Sequence, residues 1–346
     1  MNLRVSFGAL WLVLLAGCGD DALDTTAEPP LETPVAVLDK ALACTPFDHP
    51  DTPPVLLVHG TFTAGWEQYE WSYVPLLVER GFDVCVVSYP DRGLGDMQID
   101  AEYVVHALRR IRAESGRKVA MIGHSQGALM PRWALKYWPS ARAAVTDFVL
   151  QAGPNHGTAL ADVNPVALLP LDLLPVVGDL LGLPEVLFQF ARGSNFIAAL
   201  NAGDETPGDI DYTNLYTLFD ELVQPAAPVP TAALDLGQDN PKVANLLLQD
   251  LCPGRLVDHV TIGLTDRLSF ELALDAIRHD GPADFQRAGG ADLCGLLPIV
   301  PDQIVSPAAA TALMSILRQS AQAGLPQLHL RGDEPPLKAY AQQADG

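Results

Sequence analysis

An α/β fold with a mostly parallel central sheet flanked by helices is predicted by three features of this 346-residue chain. Apolar runs that suit strands buried on both faces alternate with amphipathic helical stretches. Glycines stand where several of those runs should stop. Hydrophobic residues make up 49% and charged residues 18%, which excludes a disordered chain and suffices for a core without a structural metal. Length alone allows one large domain or two small ones.

The elements follow in order. Pro54–Gly60 (PVLLVHG) reads as the first buried strand, stopped by glycine. A helix over Tyr73–Arg80 ends at Gly81, and Phe82–Ser88 is the second strand. Ile99–Ser115 repeats apolar residues at helical spacing (Ile99, Tyr103, Val104, Ala107, Leu108, Ile111), sets Arg109, Arg110 and Arg112 on its polar face, and stops at Gly116. Val119–Ile122 is the third strand and runs into Gly123. Gln126–Tyr137 is helical, and Val145–Ala152 is the fourth strand. Residues 154–207, rich in Pro, Gly and Leu, break the rhythm. They suit a cap-like insertion over a ligand crevice, or ordinary packing helices. Another strand follows over Thr213–Phe219, then helices over Ser269–His279 and Ser306–Ala323, then a polar tail from 326 to 346. No internal repeat is present.

The N-terminus reads as an address rather than structure. Arg4 precedes the apolar run Val5–Leu15, too short to span a bilayer but right for a secretory signal. The run ends in Leu15-Ala16-Gly17-Cys18, which resembles a bacterial lipobox. That resemblance implies cleavage before Cys18 and its lipidation, hence export and a lipid anchor in the cell envelope. An ordinary signal peptide that happens to contain a cysteine is the alternative. Residues 1–17 are then the signal, 18–36 a flexible acidic tether and 37–325 the folded domain. Nothing after residue 20 reads as a spanning helix, because the most apolar stretch, 166–191, is broken by Pro170, Pro175, Gly178, Gly182 and Pro184.

Lys and Arg number 21 against 42 Asp and Glu, a net charge of −21. Such a field repels phosphate backbones and anionic membrane surfaces, so nucleic acid is excluded as a partner and membrane attachment must be covalent or apolar. With Cys18 lipidated, four cysteines remain, an even number that in an exported protein argues for two disulfides over free thiols. Three connectivities exist. Sequence order favours Cys44–Cys85 and Cys252–Cys294, each closing a loop of about 40 residues worth at most roughly 4 kcal/mol.

Gly123-His124-Ser125-Gln126-Gly127 matches G-x-S-x-G, where a strand is predicted to end and a helix to begin. That context makes Ser125 a candidate nucleophile on a strained turn. A serine hydroxyl needs a positioned base, and a histidine base needs a carboxylate to hold its tautomer. Later histidines are His156, His259, His279 and His329. His156 follows a strand too early to leave room for an acid, His279 closes a helix and His329 lies in the tail. His259, where the apolar run Leu256-Val257 meets a loop, is favoured as base. Asp220, closing the predicted strand, is favoured as acid over Glu221, and Asp258 reads as a solvated or helix-capping residue. Oxyanion donors are expected from the backbone N–H of Gln126 and from Thr61, in the loop after the first strand.

Together these segments resemble the Candida antarctica lipase B-like lipases over roughly residues 36–325. Pro54–Gly65 (PVLLVHGTFTAG) is similar to the family's first strand and oxyanion loop, and Ser125-Gln126-Gly127 to its nucleophile segment. Thr213-Asn214-Leu215-Tyr216 through Asp220-Glu221-Leu222-Val223-Gln224-Pro225 is the most specific match and implies Asp220 as the acid. Val257-Asp258-His259 resembles the base segment. The family's cysteine pattern supports Cys44–Cys85 and Cys252–Cys294. The family's best-known member has Pro, Thr and Trp where His59, Gly123 and His124 stand, and a third disulfide near the C-terminus that this chain lacks.

The resemblance implies an α/β-hydrolase fold and a monomeric serine hydrolase of carboxylic esters, most specifically a triacylglycerol lipase, with no cofactor and no metal. The stretch 166–191 and the helix around Leu313–Leu317 would wall an acyl pocket. Short-chain carboxylesterase and polyester depolymerase chemistry use the same residues. A non-catalytic envelope lipoprotein on a hydrolase fold is the reading of a different class.

Overall fold

A computed structural model describes residues 28–163, 182–235, 237–295, 304 and 330–342. The expected signal, Cys18, the helix expected over 306–323 and the middle of the insertion expected over 154–207 lie outside the described residues.

Seven strands form one sheet: β1 (Leu42–Cys44), β2 (Val55–Val58), β3 (Val84–Val87), β4 (Val119–His124), β5 (Val145–Gln151), β7 (Asp211–Tyr216) and β8 (Val243–Leu247), in the order β1-β3-β2-β4-β5-β7-β8. Two short strands, β6 (Leu183–Pro184) and β9 (Leu330–Arg331), pair apart from it. All pairings in the main sheet are parallel except β1 against β3. Every residue of β2, β3 and β4 is buried, as continuous apolar runs require of a sheet covered on both faces. Alternate residues feed two cores. Leu56, Val58 and Met121 pack with Val104, Leu108 and Trp133 on one face. Val55, Leu57 and Ile122 pack with Tyr73, Phe270 and Leu274 on the other. Each such aliphatic side chain, fully buried, contributes about 1.5–3 kcal/mol.

The helix Met97–Ser115 starts two residues before the apolar pattern does, because Asp96 caps it by accepting from Gln98 N–H at 3.0 Å. It ends, as its sequence predicts, at Gly116 with φ +70°. Helix Arg267–Arg278 is capped in the same way by Asp266, which accepts from Ser269 N–H. Disulfides join Cys44 to Cys85, directly opposed in the β1–β3 pair, and Cys252 to Cys294.

Three boundaries differ from expectation. The strand read to Phe219 ends at Tyr216. Residues 28–36 are not tether: Glu32 and Thr33 donate backbone N–H to the Glu102 carboxylate, Trp138 Nε1–H donates to Pro29 O at 2.8 Å, and Glu28 pairs with Arg109. The polar tail also docks. Tyr340 packs its ring against Tyr137 and Trp138, both at 5.1 Å, and Lys338 N–H donates to Gln98 Oε1. Charged neighbours in the sequence masked single anchoring side chains in both segments.

Parallel strands bring one end of β2, β4, β7 and β8 to the same edge of the sheet. The segments that leave that edge carry Thr61, Ser125, Asp220 and His259.

Candidate active site

Ser125 follows β4 directly, with φ +57°, in the left-handed region that side-chain-bearing residues rarely occupy. The flanking glycines make the turn possible. A Cβ on Gly123 would lie 2.0 Å from Gly127 O, and one on Gly127 would lie 2.2 Å from Val58 O. A helical turn, Ser125–Ala128, then leads into the helix Leu129–Tyr137. The tight turn leaves Ser125 half-buried, whereas its neighbours His124 and Gln126 are buried.

Ser125 Oγ lies 2.8 Å from His259 Nε2, and His259 Nδ1 lies 3.0 Å from both carboxylate oxygens of Asp220. A carboxylate only accepts, so Nδ1 carries the proton, and in the neutral ring Nε2 is left to accept from the serine hydroxyl. Asp220 and His259 are 3% and 4% exposed, so little water screens the pair. Burial favours the neutral imidazole, but the Asp220 charge and hydrogen bond, with Glu221 and Asp258 nearby, outweigh it and raise the His259 pKa above its ordinary 6.5.

Local structure aims both partners. Asp220 stands in a turn four residues past the end of β7, not on the strand. Its Oδ1 accepts from the N–H groups of Leu222 and Val223 at 2.9 and 2.7 Å, which fixes the carboxylate. Glu221 does not point away from the site. Its Oε2 accepts from His259 N–H at 3.0 Å, so adjacent carboxylates hold the ring and the main chain of one histidine. Thr217 Oγ1–H donates to Val257 O at 2.7 Å, tying the two loops together. His259 is the first residue of the helix His259–Leu264, and Asp258 caps that helix by accepting from Thr261 N–H.

Thr61 stands beside Gln126: its hydroxyl donates to Gln126 Oε1 at 2.7 Å. The other histidines stand elsewhere. His156 pairs with Glu205, His279 leans on Asp275, and His329 lies outside the described residues. Sequence reasoning missed Gln68 and His124. Gln68 Nε2 is 3.2 Å from His124 Nδ1, and His124 Nε2 is 2.7 Å from His259 O. Among the described residues no group of three or more His, Cys, Asp or Glu side chains is placed to hold a metal ion.

The model of the alpha/beta hydrolase family matches residues 55–314, three quarters of the chain. The chain belongs to the alpha/beta hydrolase family. Two curated relatives of this hydrolase are lipases. Lipase B of Pseudozyma antarctica is 33% identical over 330 residues, covering 92% of this chain and 88% of the relative. A triacylglycerol lipase of Pseudomonas fragi is 34% identical over 121 residues, 34% of this chain and 40% of the relative. Among solved structures, Aspergillus fumigatus lipase B superposes with a TM-score of 0.75 at 29% identity, covering 91% of this chain and 74% of that one.

Proposed function

We propose that this alpha/beta hydrolase is an exported lipase in which Ser125, His259 and Asp220 act as nucleophile, base and acid. Its family and its lipase relatives make it a carboxylic ester hydrolase. The observation that carries the triad is the continuous contact from Asp220 through His259 to the strained Ser125.

Ser125 Oγ attacks the ester carbonyl while its proton passes to His259 Nε2. Asp220 stabilises the imidazolium that forms. The oxyanion of the tetrahedral intermediate is received by the backbone N–H of Gln126 and by Thr61, whose hydroxyl turns from Gln126 Oε1 toward the new charge. Collapse breaks the ester C–O bond, and the leaving alkoxide takes the proton from His259. Water repeats the sequence on the acyl-enzyme and releases the carboxylic acid.

A lipid ester is favoured over a small one by the rim. Leu218 and Phe219, just before Asp220, are 42% and 45% exposed, and Leu256 and Val260, around His259, are 44% and 47% exposed. These four apolar side chains suit an acyl chain. Two disulfides suit an oxidising compartment outside the cytoplasm. No helix among the described residues is long and apolar enough to cross a membrane. Residues 1–17 as a signal, a lipid on Cys18, a cap within 154–207 and a monomeric state complete the proposal.

Ser125→Ala is expected to abolish hydrolysis and fluorophosphonate labelling without shifting the melting curve. Turnover within tenfold of the parent would sink the triad. An ester series from acetate to long-chain triacylglycerol tests the substrate. Activity confined to the shortest acyl chains would make the protein a short-chain esterase instead.

A further inference from the structure

We infer that His124, through Gln68, is a positioning residue that locks the base segment and the oxyanion loop to the nucleophile. The inference rests on the triad reading and deepens it.

The directions of the bonds are forced. Gly60 N–H can only donate, and it meets Gln68 Oε1 at 2.9 Å; Thr63 Oγ1–H donates to the same oxygen at 3.0 Å. The Gln68 amide nitrogen is therefore turned to His124 Nδ1, 3.2 Å away, and must donate to it. His124 Nε2 then carries the ring proton and donates it to His259 O, which can only accept, at 2.7 Å. The chain thus runs from the oxyanion loop, through the residue peptide-bonded to the nucleophile, to the carbonyl of the base. Gln68 and His124 are 1% and 5% exposed, so water cannot replace these bonds cheaply.

The main chain of His259 is consequently gripped at both ends. Glu221 holds its N–H and His124 holds its C=O, while Asp220 holds the ring. The helix it opens has only six residues, too few to fix its own position. Space for the His124 ring is made by Gly263, one turn along that helix. A Cβ there would lie 2.1 Å from His124 Cδ2 and 2.3 Å from Cγ. The ring also stays uncharged. Burial, then the neighbouring His259, push its pKa down to about 3, so no second cation opposes the His259 imidazolium during turnover.

The reason this matters is reach. A nucleophile–base contact tolerates little play, and a displacement of about 1 Å can cost on the order of 10²-fold in rate. The test measures kcat and KM on a soluble p-nitrophenyl ester, with melting curves. His124→Leu keeps bulk and removes both bonds. We expect kcat to fall on the order of 10²-fold with KM nearly unchanged, because the contact governs the chemical step rather than binding. His124→Gln, whose amide offers one donor and one acceptor at similar spacing, should recover most of that loss. Gly263→Ala, which drives into the ring, should resemble His124→Leu. If His124→Leu fails to fold, Gln68→Met carries the test through its own loss of kcat. Wild-type kcat in these folded variants, a loss confined to KM, or no recovery in His124→Gln would overturn the inference. Ser125→Ala and His259→Ala run alongside separate the two levels. Activity in either refutes the triad, whereas their inactivity beside a fully active His124→Leu refutes only the positioning role.

Discussion

Replacing Asp220 by Asn isolates the charge behind His259. The two groups meet at 3.0 Å and both are buried. At that separation and an effective dielectric near 20, the attraction between the carboxylate and an imidazolium is about 5.5 kcal/mol. The imidazolium forms only as Ser125 gives up its proton, so this energy belongs to the transition state. With 1.36 kcal/mol per factor of ten, its loss predicts a fall in kcat on the order of 10⁴, the size seen for the same change in another serine triad. Asn also presents an N–H toward Nδ1, which favours the tautomer that cannot accept from serine. Glu221→Gln keeps an acceptor for His259 N–H and removes only an exposed charge, so it should cost less than about tenfold. The pH profile gives a second readout. The His259 pKa is raised, and the base works deprotonated, so parental activity should fall as pH drops through a value above 6.5. In Asp220→Asn the burial remains and its main counterweight is gone, so that acid limb moves to lower pH. Both variants are assayed at saturating substrate across pH, with melting curves. An Asp220→Asn loss under tenfold, an unmoved acid limb, or a larger loss in Glu221→Gln would refute the reasoning.

Thr61→Val removes the hydroxyl and keeps the shape and the backbone N–H; kcat should fall on the order of 10²-fold, read in the same ester assay. Asp266→Asn breaks the Arg255–Asp266 pair, which meets at 2.6 Å with both side chains essentially unexposed, while keeping an acceptor for the helix cap. It should cost about 3–5 kcal/mol in a urea titration, because Arg255 is left charged and buried. Mass spectrometry of the mature N-terminus should find Cys18 first and diacylated or triacylated, since one chain holds a membrane only marginally. An unmodified peptide starting elsewhere would reject the lipobox.

The elbow was legible because its chemistry is steric. Gly123 and Gly127 sit where a single methyl would strike backbone, so the pattern in the sequence is the pattern of the contact. The buried strands β2 to β4 were legible because their inner stretches, Val55–Val58, Val84–Val87 and Val119–Ile122, are continuous apolar runs, as burial on both faces requires. Other elements carry no such signature. β1 is three residues long and is defined by its partner and a disulfide rather than by periodicity. β8, half-buried along its length, offers neither alternation nor a continuous apolar run. Asp220 and Glu221 could be named from the sequence, but Asp220 does not close a strand, since the strand ends at Tyr216. A strand would send neighbours to opposite faces, whereas a turn brings both to His259. His124 fills a position where the motif allows any residue, so only the contact at His259 O gives it a meaning.

The docked segments at the two ends of the described chain determine how the molecule can be held. Pro29 O accepts a hydrogen bond from Trp138, Tyr340 packs edge-on against the same indole, and Lys338 Nζ pairs with Glu32 at 2.7 Å. Trp138 follows the helix that begins beyond Ser125, and at 1.5 Å per residue it stands roughly 20 Å behind the nucleophile. Both ends therefore leave from the back of the molecule. A lipid at the N-terminus, or a solid support coupled to the C-terminus, would present the crevice outward and leave its apolar rim free. Immobilised by either end, the enzyme should meet suspended substrate with its working face, and coupling through random surface lysines should give a lower specific activity than coupling through a terminus.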